Sequence, residues 1–246
     1  MKTYWISFFA ISFLIAGSAV GSPQPIAFNG ERYEQDFNAL SAQTQSVFPG
    51  TSEHQFQVKI PFLPGWQAAR TGGSDASDLT FRSSAGGNSV GRIYAYGPSG
   101  DDDRSLGMLA TRTTSLAIGA AFVNETDQTI NEVTIEYTVE VWRSSSRTQD
   151  VFHFFYGLSS QGISLSDFLT HQSMLQHFGL DMAGPATGFE NIAIDGKADE
   201  NRARITSTLT DLQWEPGETL FLSWRAINRR GRGAGLAMDD FVLSVQ

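Results

Sequence analysis

Glu132-Val133-Thr134-Ile135-Glu136-Tyr137-Thr138-Val139-Glu140-Val141-Trp142 alternates between apolar and polar residues without a break. Val133, Ile135, Tyr137, Val139 and Val141 fall on one face; Glu132, Thr134, Glu136, Thr138, Glu140 and Trp142 fall on the other. Successive side chains of an extended chain point to opposite sides, so a strict period of two over this length predicts a half-buried antiparallel strand. A helix would scatter the same valines around its axis.

Shorter runs of the same kind lie on both sides of it. Gln55–Ile60, Val90–Tyr96, Ser115–Val123, Val151–Tyr156, Arg202–Leu209, Thr219–Ala226 and Gly235–Val245 read as strands. Between them stand Gly72-Gly73, Gly86-Gly87-Asn88, Gly97-Pro98-Ser99-Gly100, Asn124-Glu125-Thr126-Asp127 and Glu215-Pro216-Gly217-Glu218, residue types that close turns. The 24 glycines and 8 prolines suit many such turns. Ser164–Phe178 breaks the rhythm: Leu165, Phe168, Leu169, Leu175 and Phe178, with Ser166-Asp167 as a possible cap, fit one short helix or an ordered loop. There is no repeat and no βαβ alternation. The expected fold is all-β, a two-sheet antiparallel β-sandwich of jelly-roll or concanavalin-like type with at most one short helix.

The chain has 246 residues, of which 41% are hydrophobic and 17% charged, enough apolar material for a core. Met1-Lys2-Thr3, an apolar run from Tyr4 to Ile15 and the small residues Ala16 to Gly21 read as a secretory signal peptide, with cleavage after Ala19 or Gly21. The domain reading is a leader over 1–21, a polar linker over 22–31 and one β-sandwich domain over 32–246. The mature chain is expected to be secreted or periplasmic, with no membrane span after cleavage. Lys+Arg number 17 against 26 Asp+Glu, a formal charge of −9. That balance argues against nucleic acid as a partner, because a phosphate lattice needs a basic face. With no cysteine there is no disulfide, thiolate metal site, cysteine nucleophile or lipid-anchored cysteine.

A set of motifs then carries a resemblance. Tyr33-Glu34-Gln35-Asp36-Phe37-Asn38-Ala39-Leu40, Leu63-Pro64-Gly65-Trp66, Asp103-Arg104-Ser105-Leu106-Gly107, Phe122-Val123-Asn124-Glu125-Thr126, Glu140-Val141-Trp142-Arg143, Ile194-Asp195-Gly196 and Gly235-Leu236-Ala237-Met238-Asp239-Asp240-Phe241 follow in order. Together the chain resembles secreted bacterial β-sandwich domains found ahead of PEP-CTERM-type sorting anchors or appended to extracellular enzymes. The resemblance implies a jelly roll and an extracytoplasmic role; the family's activity is largely unassigned. One departure is Arg229-Arg230-Gly231-Arg232, where such domains are usually acidic.

Two constellations could carry chemistry. On a strict period of two, Asp239 shares the core-like face of the last strand with Phe241 and Leu243, and a buried carboxylate needs a partner. The Asp-Asp-Phe ending resembles closing strands of carbohydrate-binding jelly rolls, which implies one structural Ca²⁺ on Asp239 with Asp36 as co-ligand. The alternatives are an ion pair, for instance with Arg104, or hydrogen bonds to a turn. The second constellation is the outward row Glu132, Glu136, Glu140 and Trp142. Carboxylates four apart on a strand are about 13 Å apart, too far for the roughly 5–5.5 Å pair of a retaining glycosidase. A sugar, however, can pack its apolar face on an indole while carboxylates accept its hydroxyls, so Trp142, Glu140, Glu136 and Tyr94 are the expected ligand residues.

Asp101-Asp102-Asp103 reads as a solubilising turn or a cation site. His54, His153, His171 and His177 lack metal spacing, and no nucleophile elbow, phosphate loop or dinucleotide fingerprint is present. The residues favour a non-enzymatic module that binds extracellular polysaccharide, other glycan or a surface protein. A polysaccharide-cleaving enzyme on the same fold, or a structural protein of a matrix without a small ligand, stay open.

Overall fold

The structure, a computed structural model, describes residues 24–40, 45–48, 57–59, 63–73, 79–146, 149–161, 167–168, 174–226 and 233–245. The leader, His54, His171, most of 162–173 and the Arg229–Arg232 run lie outside the described residues.

Fifteen strands occur among them: β1 Ile26–Phe28, β2 Tyr33–Gln35, β3 Gln45–Phe48, β4 Gln57–Lys59, β5 Trp66–Gly72, β6 Leu79–Ser84, β7 Arg92–Tyr96, β8 Ser105–Leu109, β9 Ser115–Asn124, β10 Val133–Arg143, β11 His153–Ser159, β12 Leu175–Gln176, β13 Arg202–Leu209, β14 Thr219–Ala226 and β15 Gly235–Ser244. They form two sheets packed face to face. The first runs β12-β11-β14-β9-β5-β4, and the second runs β13-β10-β15-β8-β7-β6-β3. Two long strands each serve two neighbours along one edge. β9 pairs with β5 over its first half and with β1 over Phe122–Asn124; β15 pairs with β8 over Leu236–Met238 and with β2 over Phe241–Leu243. The pairing is antiparallel except for β1 with β9 and β6 with β7, which are parallel.

The alternation in β10 is realised as expected. Val133, Ile135, Tyr137, Val139 and Val141 all face the core and are buried. The core is aromatic at its centre. Trp66 and Trp224 stack at 6.5 Å between ring centroids, and Phe241 meets both edge-on at 5.2 and 6.1 Å. Buried indole N–H groups need acceptors. Trp224 Nε1 donates to Tyr137 Oη and to Leu180 O, and Trp66 Nε1 donates to Tyr33 Oη, each at 3.1 Å.

Ile26–Phe28, in the segment expected to be a polar linker, is instead part of the first sheet. Phe28 is buried and stacks on Trp214 at 5.4 Å. The turn Asn124–Asp127 is held by its asparagine, whose Oδ1 accepts from Thr126 N at 2.9 Å and whose Nδ2 donates to Trp214 O at 2.9 Å. Within Ser164–Phe178, the described residues show helical Asp167-Phe168 and the short strand β12, followed by a 3-10 turn over Phe178–Leu180. Phe168 covers the outer side of the first sheet, stacked on Phe221 at 5.0 Å. Among the described residues no helix is long and apolar enough to cross a membrane.

Candidate functional site

The outer face of the second sheet carries the polar row of β10, and it divides into an open half and a covered half. In the open half, Thr134 bonds Thr208 across β13 at 2.8 Å, and Glu136 accepts from the Arg204 guanidinium and from Thr206 Oγ1 at 3.2 Å. The hydrogen bond from the Arg204 guanidinium holds the Glu136 carboxyl below its ordinary pKa, against the opposing effect of burial. In the covered half, the segment after β12 crosses the sheet. Its Ile194 N–H donates to Trp142 O at 3.0 Å, Ser144 N–H donates to Ile192 O at 3.0 Å, and Gly196 lies against the Trp142 indole.

Trp142 leaves the sheet on its outer side, as periodicity predicts, but it is covered there and not available to a ligand. It is 2% exposed, stacks on Tyr96 at 5.9 Å with rings 7° apart, and packs with Tyr94, Leu109 and Ala237 in a second small core. Its Nε1 donates to Glu140 Oε2 at 3.0 Å and to Ser105 Oγ at 3.2 Å. Tyr94, also expected as a ligand residue, is buried with its hydroxyl donated to Val90 O at 2.7 Å. Burial and the Arg92, Arg82 and Arg143 charges act in opposite senses on that phenol, and burial prevails, pushing it up to about 12. Glu140 is fully buried.

Asp239 does not share a face with Phe241. The β10–β15 register passes from Glu136↔Val242 to Thr138↔Asp239, so β15 carries one extra residue at this point. That β-bulge takes Asp240 into the left-handed region at φ +49° and reverses the alternation beyond it. Ala237 and Asp239 therefore face the outer side, while Met238, Phe241 and Leu243 face the core.

On that outer side Asp239 meets a cation that the sequence pattern did not single out. Lys197 Nζ lies 2.9 Å from Asp103 Oδ2, 3.1 Å from Glu140 Oε1 and 3.1 Å from Asp239 Oδ2. Arg202 Nε stands 3.4 Å from the same Glu140 oxygen. Desolvation works against the lysine's charge, but the Asp103 hydrogen bond and the fields of Glu140 and Asp239 outweigh it and raise its pKa. Burial pushes the Asp239 carboxyl up to about 7, against the opposing pull of Lys197. Arg104, the ion-pair partner considered for Asp239, is engaged elsewhere: its NH2 donates to Asp101 O at 2.8 Å.

Asp36 makes contacts of its own. Its Oδ1 accepts from Asn38 N–H at 3.1 Å, and it lines a groove of about 290 Å³ with Arg32, Glu34, Glu136, Thr138, Arg204 and Asp240. The two carboxylates expected to share a calcium thus have separate surroundings. Among the described residues no group of three or more His, Asp or Glu is arranged to hold a metal. The residues present do not fit the expected calcium set, because an ammonium stands where Asp239 would need the ion. Of the expected ligand residues, Glu136 alone lines the groove. Lys197 directly follows the Ile194-Asp195-Gly196 motif, and Asp103 closes the acidic turn, so both were visible as residues but not as a pair.

No family model and no curated protein matches the chain. Solved structures similar to it include the enzymatically active domain of bacteriophage CBA120 tailspike protein 4, at 9% identity over 74% of this chain, with a TM-score of 0.39. This chain spans only 19% of the length of that tailspike chain. The K3 cleaved adhesin domain of Lys-gingipain from Porphyromonas gingivalis w83 is 11% identical over 86% of this chain and 98% of its own, with a TM-score of 0.38. A family 35 carbohydrate binding module from Clostridium thermocellum is 9% identical over 83% of this chain and 100% of its own, with a TM-score of 0.27. The chemistry of the groove rests on its own side chains.

Proposed function

We propose that the chain is a non-enzymatic β-sandwich module that binds extracellular glycan in the groove over β2, β15, β10 and β13. The observation that carries this reading is the pairing of charges along the groove. Glu136 is fixed by Arg204 and Thr206, Arg32 is paired with Glu34, and Arg202 reaches Asp240 at 3.8 Å. Carboxylates and guanidiniums set side by side offer acceptors and forked donors at close spacing. That matches sugar hydroxyls, each of which both donates and accepts. The phenyl rings that are exposed among the described residues, Phe178 and Phe189, do not line this groove. The ligand is therefore held by hydrogen bonds to its edges rather than by stacking.

A polysaccharide-cleaving reading is less favoured by the same geometry. A general acid at neutral pH needs a raised carboxyl pKa facing the substrate. Glu136 is shifted the other way, and Asp239, which is raised, lies under Lys197 outside the groove lining. The test is a glycan-array screen of the protein beside Glu136→Gln, followed by titration calorimetry on any hit and a reducing-sugar assay on the matching polysaccharide. Binding lost in the variant, with no sugar released, supports the proposal. Binding unchanged in the variant, or sugar release by the wild type, overturns it.

A further inference from the structure

The cluster around Lys197 has the composition of a cation site whose cation is part of the chain. Three carboxylates, from Asp103 before β8, Glu140 on β10 and Asp239 on β15, converge on one ammonium within 3.1 Å. Glu140 is fully buried, and its Oε1 accepts no well-formed hydrogen bond, meeting only the ion-pair contacts of Lys197 and Arg202. A buried carboxylate oxygen in that position requires a positive charge opposite it. The ammonium also ties the crossing segment 191–201 to the sheet, since Lys197 follows directly on the Gly196 that rests on Trp142. We propose that Lys197 is the resident structural cation of this carboxylate cage, and that the cage accepts a hard oxygen-seeking cation such as Ca²⁺ or Tb³⁺ only when the lysine is removed.

The charge balance supports the second half. Once Asp239 is ionised, Asp103, Glu140 and Asp239 face Lys197 and Arg202 with one negative charge in excess; removal of the lysine leaves two, which one divalent ion neutralises. Ca²⁺ prefers hard oxygens at about 2.3–2.6 Å, and each carboxylate here has only to close in slightly on a smaller centre. The Lys197 side chain is 19% exposed, so ions and water reach the cage from outside. The inference is independent of what the groove binds.

The experiment compares the wild type with Lys197→Ala in thermal melts in EDTA and in millimolar CaCl₂, and adds Tb³⁺ luminescence sensitised by indole. Trp142, bonded to Glu140, is the donor beside the cage. The wild type is expected to melt at one temperature in EDTA and in calcium, and to give no sensitised Tb³⁺ signal. The variant should melt roughly 5–10 °C lower in EDTA, recover part of that loss in calcium, and show Tb³⁺ emission displaced by calcium. If Lys197→Ala is not recovered folded, Lys197→Gln, which keeps the stem and loses the charge, carries the same titrations. The proposal is overturned by a wild type stabilised by calcium in an Asp239-dependent way. It is also overturned by a variant as stable as the wild type, or by a destabilised variant that neither ion restores.

Discussion

Gly196 lies against the indole of Trp142 with no space between them for a methyl group. Gly196→Ala should displace the ring or the crossing segment, at a cost of about 1–3 kcal/mol. The measurement is urea denaturation together with tryptophan fluorescence. A variant as stable as the wild type would show that the segment floats free of the sheet.

Glu136 and Arg204 sit on neighbouring strands at the exposed wall of the groove, and exposed pairs of this kind contribute little to stability. Arg204→Ala should leave the melting temperature essentially unchanged. It should weaken binding of a glycan identified on the array by roughly tenfold, the worth of one charge-assisted hydrogen bond. Calorimetry decides; an equal loss of stability and affinity would mean that the pair is structural.

The raised Asp239 carboxyl makes stability depend on pH in a definite direction. Its pKa is about 7 in the folded protein, against 3.8 for an ordinary aspartate carboxyl. Between those values the folded chain holds a proton there that the unfolded chain has released, so this group's contribution is full below the lower value. It is lost as pH rises through the upper one. The groups facing it are Lys197, Glu140 and Asp240, with Asp103 and Arg202 beyond. Denaturation curves between pH 4 and pH 8 should fall more steeply with pH for the wild type than for Asp239→Asn, by up to about 1.4 kcal/mol per pH unit. Parallel curves would show that the carboxyl titrates normally.

Asp240 occupies the left-handed region at φ +49°, which costs an L-residue about 1 kcal/mol and glycine almost nothing. Asp240→Gly should therefore change stability by no more than about 0.5 kcal/mol, because the relief at this φ offsets the larger unfolded-state entropy of glycine and the loss of the long 3.8 Å contact with Arg202. Chemical denaturation is the check. A larger loss of stability would mean that the side chain holds the bulge.

The architecture was legible wherever alternation was unbroken. Arg202–Leu209 and Thr219–Ala226 match their strands residue for residue, and the inward valines of β10 are all buried. What periodicity could not convey was the extra residue at Asp240. It exchanges the two faces of β15 halfway along, and so moves Asp239 from the inner layer to the outer one. Periodicity also says which side of a sheet a residue leaves from, not what lies over that side. Trp142 and Glu140 do point away from the main core, but Ile192, Ile194 and Gly196 come back over them from fifty residues later. Lys197 shared that problem: its partners are distant in sequence and meet only after the crossing. Trp66–Gly72 and Ser105–Leu109 were missed as strands because both faces are largely buried, which erases alternation.

β13 ends its sheet and pairs with β10 alone among the described strands. The turn Phe178–Leu180 packs against part of it, with His177 Nε2 2.8 Å from Ser207 Oγ, and the remaining margin is a template on which another chain can add and polymerise. Two guanidiniums stand along it: that of Arg204, exposed beyond the groove wall, and that of Arg202 beside the carboxylate cluster. An incoming strand would have to dehydrate both. The same side chains that hold Glu136 and Glu140 in place thus also set positive charge beside the margin where a fibre would have to grow.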